Sequence, residues 1–298
     1  MAKPSYQKPS LSYPQQLQQL KNRGLTVEDD SKALHLLANL SYYRLSGYWY
    51  PLLANKQTHR FKPNATFDTA FDLYCFDREL RLLVLNDLEK IEVSFRAQMA
   101  YTLSQRYSPS WFRDSQLFKN ATNHTKSLSK IRQEYACSDD QFVKSFKKKY
   151  ADPIAPAWIT LEICSFGTLS RLYENLKSGR DKRDIAAYFY LPDTVLETWL
   201  HSMVYVRNVC AHHARLWNRE MRIQPKHPQK PRKQWLTDQN VSNKRIYFIL
   251  SAIVYLLNTV NPHHSFQKKF TALLKKYPNV DTGAMGFSTN WQNEPLWN

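Results

Sequence analysis

The clearest pattern in the chain begins near Thr66, where apolar residues recur at Leu73, Phe76, Leu80, Val84, Leu88, Ile91, Phe95, Met99 and Leu103. Every step is three or four residues, which predicts one long helix with a buried stripe, stopping before Pro109. A second apolar run, Tyr247 to Leu257, predicts a long apolar helix over about 242–260. Pro14 opens a short helix that Gly24 ends as a C-cap, and Thr26 with Asp29 reads as a capping box starting a helix through Leu40. The aromatic segment 41–53, SYYRLSGYWYPLL, reads as irregular around Gly47 and Pro51. After Pro153 and Pro156, AWITLEICSFGTLSRLYENLKSG reads as a helical block closed by Gly179. Pro192 suits the first turn of a further helix over about 192–217. No repeat is visible and strand-like alternation is nowhere sustained, so the expected fold is all-α. The expected organisation is an extended arm over 1–13, a helical domain over 14–270 with a polar, lysine-bearing insert at about 113–150, and a C-terminal tail over 271–298.

Composition narrows the function classes. Only 6 glycines occur in 298 residues, and neither GxGxxG nor GxxxxGK[ST] is present, which argues against nucleotide-binding folds built on Gly-rich turns. A net charge of +17 points to a polyanionic partner, either nucleic acid or an anionic membrane surface. The longest apolar stretch is too short for a spanning helix of roughly 20 residues, and MAKPSYQKPSLSYPQQ has no apolar core, so the expected location is the cytoplasm, with no membrane partner. Cys75, Cys137, Cys164 and Cys210 lie far apart and read as reduced and mostly buried. Cys210, His212 and His213 cluster but lack the second ligand pair of a zinc site, so neither metal nor cofactor is expected.

The candidate chemistry lies in RNVCAHHARLWNR, where Arg207 and His212 frame an R-x4-H spacing with Asn208 beside the arginine. RNA can be cut by its own 2′-hydroxyl attacking the adjacent phosphate, which needs a proton-transfer group and a fixed cation rather than a metal-activated water. Histidine suits the first task because its reference pKa is about 6.5. Arginine suits the second because its planar fork pairs with phosphate oxygens and stays charged. On a helix, Asn208 and His212 share a face, so Asn208 could orient the imidazole. Arg207 lies about 140° around from His212, at roughly 100° per residue, so one chain offers an incomplete site.

The run resembles the RNxxxH signature of HEPN ribonucleases. The segments SYYRLSGYWYPL, DLEKIEVSFRAQMA, APAWITLEICSFGTLSRLYENL and RNVCAHHARLWNR also resemble, in the same order, the Abi-like (AbiD/AbiF type) phage-resistance family over roughly 15–260. The resemblance implies a HEPN-like helical bundle with an N-terminal helical extension, catalytic Arg207 and His212, and a homodimer or higher oligomer that faces two motif helices together. It also implies RNA as partner, both as substrate and as a small non-coding RNA antitoxin.

Further residues carry two readings each. His213 contacts substrate or merely points elsewhere on the helix; Arg215 and Arg219, with Asn218, contact phosphate or form a hydrated face. Lys226, Lys230, Arg232 and Lys233, in an acid-free loop from Arg222, form a candidate backbone-gripping strip. Glu92 and Arg96 are spaced as a surface ion pair, and HEPN relatives often place an acidic residue near the active arginine. Glu162, in an apolar run, should be paired with an arginine. Tyr43, Arg44, Tyr48 and Trp49 suit base stacking or burial between helices, and the insert's lysines suit a solvated face or an RNA contact. The resulting expectation is a metal-independent, toxin-like endoribonuclease of phage defence. Its rivals are a non-catalytic RNA-binding or assembly module and a DNA-binding regulator, the latter without convincing helix-turn-helix spacing.

Overall fold

A computed structural model describes residues 5, 7 and 9–298; the remaining positions of the expected arm lie outside the described residues. The all-α expectation is borne out: twelve α-helices, five short 3-10 helices and one two-stranded hairpin make up the regular structure among the described residues. The described residues divide into two compact units, those up to 79 with 272–280, and residues 80–271 with 281–298.

The first unit holds α1 (Tyr13–Asn22), α2 (Asp30–Leu40), α3 (Tyr42–Trp49) and the hairpin β1 (Leu53–Asn55) and β2 (Arg60–Phe61). Gly24 ends α1 as expected, at φ 92°, with Gly24 N–H donating to Lys21 O and Leu25 N–H to Leu20 O. The capping box at Thr26 is corrected. Asp29 alone caps α2, accepting from Lys32 N–H, while Thr26 pairs with Thr66 as an isolated bridge. The segment expected to be irregular is α3, helical through Gly47, because it buries Leu45, Tyr48 and Trp49. Tyr48 Oη donates to Asp77 Oδ2 at 2.7 Å. Tyr43 instead stands 88% exposed, so the stacking and burial readings divide between neighbours, and Arg44 is exposed in this unit.

The long helix α4 (Phe67–Arg106) has the predicted stripe, with Leu80, Val84, Leu88, Ile91, Phe95, Met99 and Leu103 at most 1% exposed. In the second unit the insert folds as α5 (Ala121–Cys137) and α6 (Gln141–Lys149). The expected helical block breaks at Ser165 into α7 (Ala157–Thr160) and α8 (Phe166–Asn175), because Ser165 Oγ accepts from Thr168 N–H as a fresh N-cap. Gly179 does not close that block; it precedes α9 (Arg180–Tyr188). The motif helix is α10 (Asp193–Ala211), followed by α11 (Ile246–Val260) and α12 (Phe266–Lys276).

Residues 246–257 of α11 are all buried, so the helix has no solvent face and is covered on several sides. From α10, the Trp199 ring lies 6.3 Å from Phe248 and 5.5 Å from Tyr255. From the basic loop, Trp235 contacts the same two rings and His227 lies 4.6 Å from Phe248. From residues 281–298, Phe287 and Trp297 stack against Tyr247, and Trp297 Nε1 donates to Ser251 Oγ at 3.1 Å. The segment expected as a tail is therefore one wall of this core. No helix among the described residues is long and apolar enough to cross a membrane.

Replacing Trp297 with Ala removes a buried indole and its hydrogen bond, and is expected to cost about 3–5 kcal/mol. Chemical denaturation checks this; a midpoint equal to the native one would mean residues 281–298 do not support α11.

Candidate active site

The exposed face of α10 is set by the face it buries. Val195, Leu196, Trp199, Leu200, Met203, Val206, Val209 and Cys210 point inward, which leaves Arg207, Asn208 and Ala211 exposed in the last turns. The helix ends at Ala211, not near residue 217 as expected. His212 is the C-cap, its backbone N–H donating to Asn208 O at 3.0 Å. His213 then takes φ 55°, and the turn closes with His213 N–H to Cys210 O at 3.0 Å and Ala214 N–H to Val209 O at 2.9 Å. These two bonds are the pattern that usually places glycine in the left-handed position. Here a histidine fills it, so the second histidine shapes the backbone that carries the first.

Beyond the turn the chain folds back rather than continuing around a helix. Leu216 and Trp217 are buried. Arg219 Nε donates to Arg215 O at 2.6 Å and its Nη1 to Tyr205 Oη at 3.3 Å, which ties the returning loop to α10. Arg219 is thus used structurally. Tyr205 was not singled out in the sequence, because nothing there shows that the chain doubles back onto it.

Arg207 Nη1 donates to Asn208 Oδ1 at 3.4 Å, so the asparagine contacts the arginine rather than the imidazole. Among the described residues the His212 imidazole has no hydrogen-bond partner and is exposed. The acidic side of the site comes from α4. Burial pushes the Glu92 carboxyl above the usual carboxylate range, while the charges of Arg96 and then Arg207 pull it back. Glu92 thus lies within electrostatic reach of Arg207, with no hydrogen bond or ion pair between the two among the described residues. Arg96 is buried rather than a surface partner. Its Nη2 lies 2.8 Å from Glu92 Oε1 and 3.2 Å from Cys164 O, and its Nη1 lies 3.5 Å from Glu162 Oε2. Arg96 thus joins Glu92 and Glu162 into one cluster, although Glu162 is half exposed.

The loop from Arg222 divides in two roles. Its backbone is pinned, with Lys226 O accepting from Trp199 Nε1 at 2.8 Å. Lys233 is committed to the fold: Nζ donates to Thr259 Oγ1 at 2.9 Å and lies 4.2 Å from the Tyr190 ring centroid. Lys226, Lys230 and Arg232 are exposed. All four cysteines are free, Cys164 and Cys210 buried and Cys137 exposed. No group of three or more His, Cys, Asp and Glu side chains among the described residues is placed to hold a metal ion. Chemically, the site offers a guanidinium bonded by an amide and within the field of a carboxylate, with an exposed imidazole at the helix C-cap.

His213→Gly is expected to stay within about 1 kcal/mol of native stability or exceed it, since glycine enters the left-handed region without penalty. His213→Val should cost about 1–3 kcal/mol, because a β-branched residue is strained there. Thermal unfolding of both variants checks the turn, and equal stability of the two would remove it as a constraint.

Among known proteins, no curated protein and no solved structure matches the chain. The family model described as Abi-like protein matches residues 35–218, a span that contains the Glu92–Arg96 cluster and all of α10 with its closing turn. That match covers well over half of the sequence, and the chain belongs to the Abi-like protein family.

Proposed function

We propose that this protein is a metal-independent endoribonuclease of abortive-infection phage defence, acting through Arg207 and His212. Membership of the Abi-like family suggests the defence setting. The observation that carries the chemistry is the exposed end of α10, where Arg207 is steadied by Asn208 and sits in the field of Glu92 while His212 stands open. In this reading Arg207 holds the scissile phosphate and neutralises charge as the 2′-hydroxyl attacks. His212 moves the proton, and the products are a 2′,3′-cyclic phosphate and a 5′-hydroxyl. Lys226, Lys230 and Arg232 add phosphate contacts, which strengthen binding without reading sequence. An RNA that occupies the same cations without being cut would act as the antitoxin.

The reading includes a homodimer. Arg207 and His212 lie on an open surface, and a second copy would enclose a phosphate between two such helix ends. On α4, Val93 and Ala97 are exposed immediately after Glu92 and Arg96, and Tyr101 is exposed four residues further on, which supports a contact there. A non-catalytic RNA-binding module is the second reading, favoured by the same exposure of His212, which has no partner to orient it.

The purified protein is expected to cut single-stranded RNA in excess EDTA. His212→Ala should slow cleavage about 10²–10⁴-fold, the usual contribution of acid–base assistance, with RNA affinity retained. Cleavage that vanishes on chelation and returns with a divalent ion would reject the mechanism, and binding without any cleavage would favour the module.

Activity should also fall with dilution as the dimer separates. Mixing an Arg207→Ala chain with a His212→Ala chain should restore partial cleavage through mixed pairs. A fully active protein that stays monomeric at nanomolar concentration would sink the shared site.

A further inference from the structure

The first helix of the insert and α8 enclose a second cluster of cations. Lys119, Asn123, Lys126, Ser127 and Lys130 follow one another at steps of one to four residues along one side of α5 and its entry. They line a cavity of about 310 Å³ opposite Thr168, Arg171, Glu174 and Asn175 of α8 and its end. The cavity has a fixed floor. Lys119 N–H donates to Asn175 O at 2.9 Å, and the Asn175 side chain bonds the Asn120 backbone twice, at 3.2 and 2.9 Å. On its buried side α5 is held by His124, whose ring stacks 4.1 Å from Phe118 and whose Nε2 meets Phe112 O at 2.9 Å.

The charge in this cavity is not balanced. Among the described residues Lys119, Lys126, Lys130 and Arg171 form no ion pair, and Lys130 bonds only Gln133 Oε1, at 3.1 Å. Elsewhere in the same unit Arg96, Arg106, Lys144 and Lys182 all meet carboxylates. A merely solvated helix face would spread its lysines around the outer surface. Here four cations from two elements converge on one concavity, which concentrates positive field there. Glu174, the single acid, pairs with none of them. A bare phosphate would leave that carboxylate without a partner, whereas a ligand with hydroxyl donors beside its phosphate would use it.

We propose that the cavity between α5 and α8 binds a ribonucleotide, with its phosphate on Lys126, Lys130 and Arg171 and its ribose hydroxyls donating to Glu174. The volume lies at the small end of ligand pockets, roughly 300–1,000 Å³, and suits one nucleotide unit. Arginine and lysine provide the charge-assisted bonds that phosphate recognition uses, and a carboxylate accepting from ribose hydroxyls is a familiar complement. The unit is either a free nucleotide or one residue of an RNA strand. The proposal does not rest on cleavage at Arg207.

The test is calorimetric binding to the whole protein of each ribonucleoside 5′-monophosphate, its 2′,3′-dideoxy form, inorganic phosphate, and a short RNA without terminal phosphates. The RNA arm uses the His212→Ala background, so that the strand stays intact. Saturable binding weakened about tenfold or more by Lys126→Ala with Arg171→Ala is the expected result; Lys126→Arg should retain it. Glu174→Gln should abolish the preference for ribose over dideoxyribose. Pocket-dependent binding of monophosphates identifies a free nucleotide, and of the oligonucleotide alone a strand. The proposal is overturned if neither probe shows pocket-dependent binding, if inorganic phosphate binds as tightly as the nucleotides, or if Arg207→Ala removes the binding instead.

Discussion

The second unit is organised around a helix that has no side to show to water. Residues 246–257 of α11 are buried throughout, so other elements must cover it all round. At roughly 25 cal/mol per Å² of apolar surface removed from water, a helix this apolar cannot be left partly uncovered without a large loss. One cover is α10, packed through Trp199; another is the loop carrying Trp235 and His227; a third is the aromatic group of Phe287, Trp291 and Trp297. Because α10 spends its apolar face on α8, α9 and α11 together, its opposite face near the C-terminus is left to Arg207, Asn208 and His212. The position of the candidate chemistry is thus a consequence of core packing.

That position also sets the electrostatics. A helix C-terminus presents unpaired carbonyls and partial negative charge, which favours cations and disfavours phosphate. Backbone N–H groups, the usual anion ligands of a helix start, are on the wrong end here. Any phosphate bound at the end of α10 must therefore be held by side chains, and Arg207 is the group that can do so. Glu92 has a complementary effect. Burial pushes its carboxyl above the usual range while Arg96, which it bonds, and then Arg207 pull it back, so a half-buried acidic group adds to the field around the guanidinium.

Much of this was legible in the sequence where a residue type and its geometry coincide. The stripe of α4 is visible because its spacing is regular over many turns, and Gly24 marks the end of α1 because a left-handed residue there is ordinarily glycine. The end of α10 was hidden for the same reason. His213 occupies the left-handed position, so the expected punctuation is missing and the helix reads through to Trp217. Gly47 misled in the opposite direction: packing of Leu45, Tyr48 and Trp49 outweighs the helix penalty of about 1 kcal/mol for glycine. Lys233 could not be told from its basic neighbours, since only the folded chain brings Thr259 and Tyr190 against it. The tryptophans of residues 281–298 follow no helical or strand period, so periodicity gave no sign that they are core.

The excess of positive charge then resolves into groups with different work. Arg96, Arg106 and Lys182 are bound to carboxylates and serve the packing of α4, α8 and α9. Lys233 and Arg219 are turned onto backbone carbonyls and aromatic rings. Among the remaining cations of the second unit, three groups stand together: the end of α10, the loop through Lys226, Lys230 and Arg232, and the α5–α8 cavity. Random scatter of lysine and arginine over a surface would produce neither a paired set inside the fold nor unpaired sets that converge. Like charges held together cost free energy in the absence of a counter-anion, and a folded chain that retains such clusters does so against that cost. The net charge alone pointed to a polyanion; the separation of paired from unpaired cations locates where on this molecule a phosphate has something to meet.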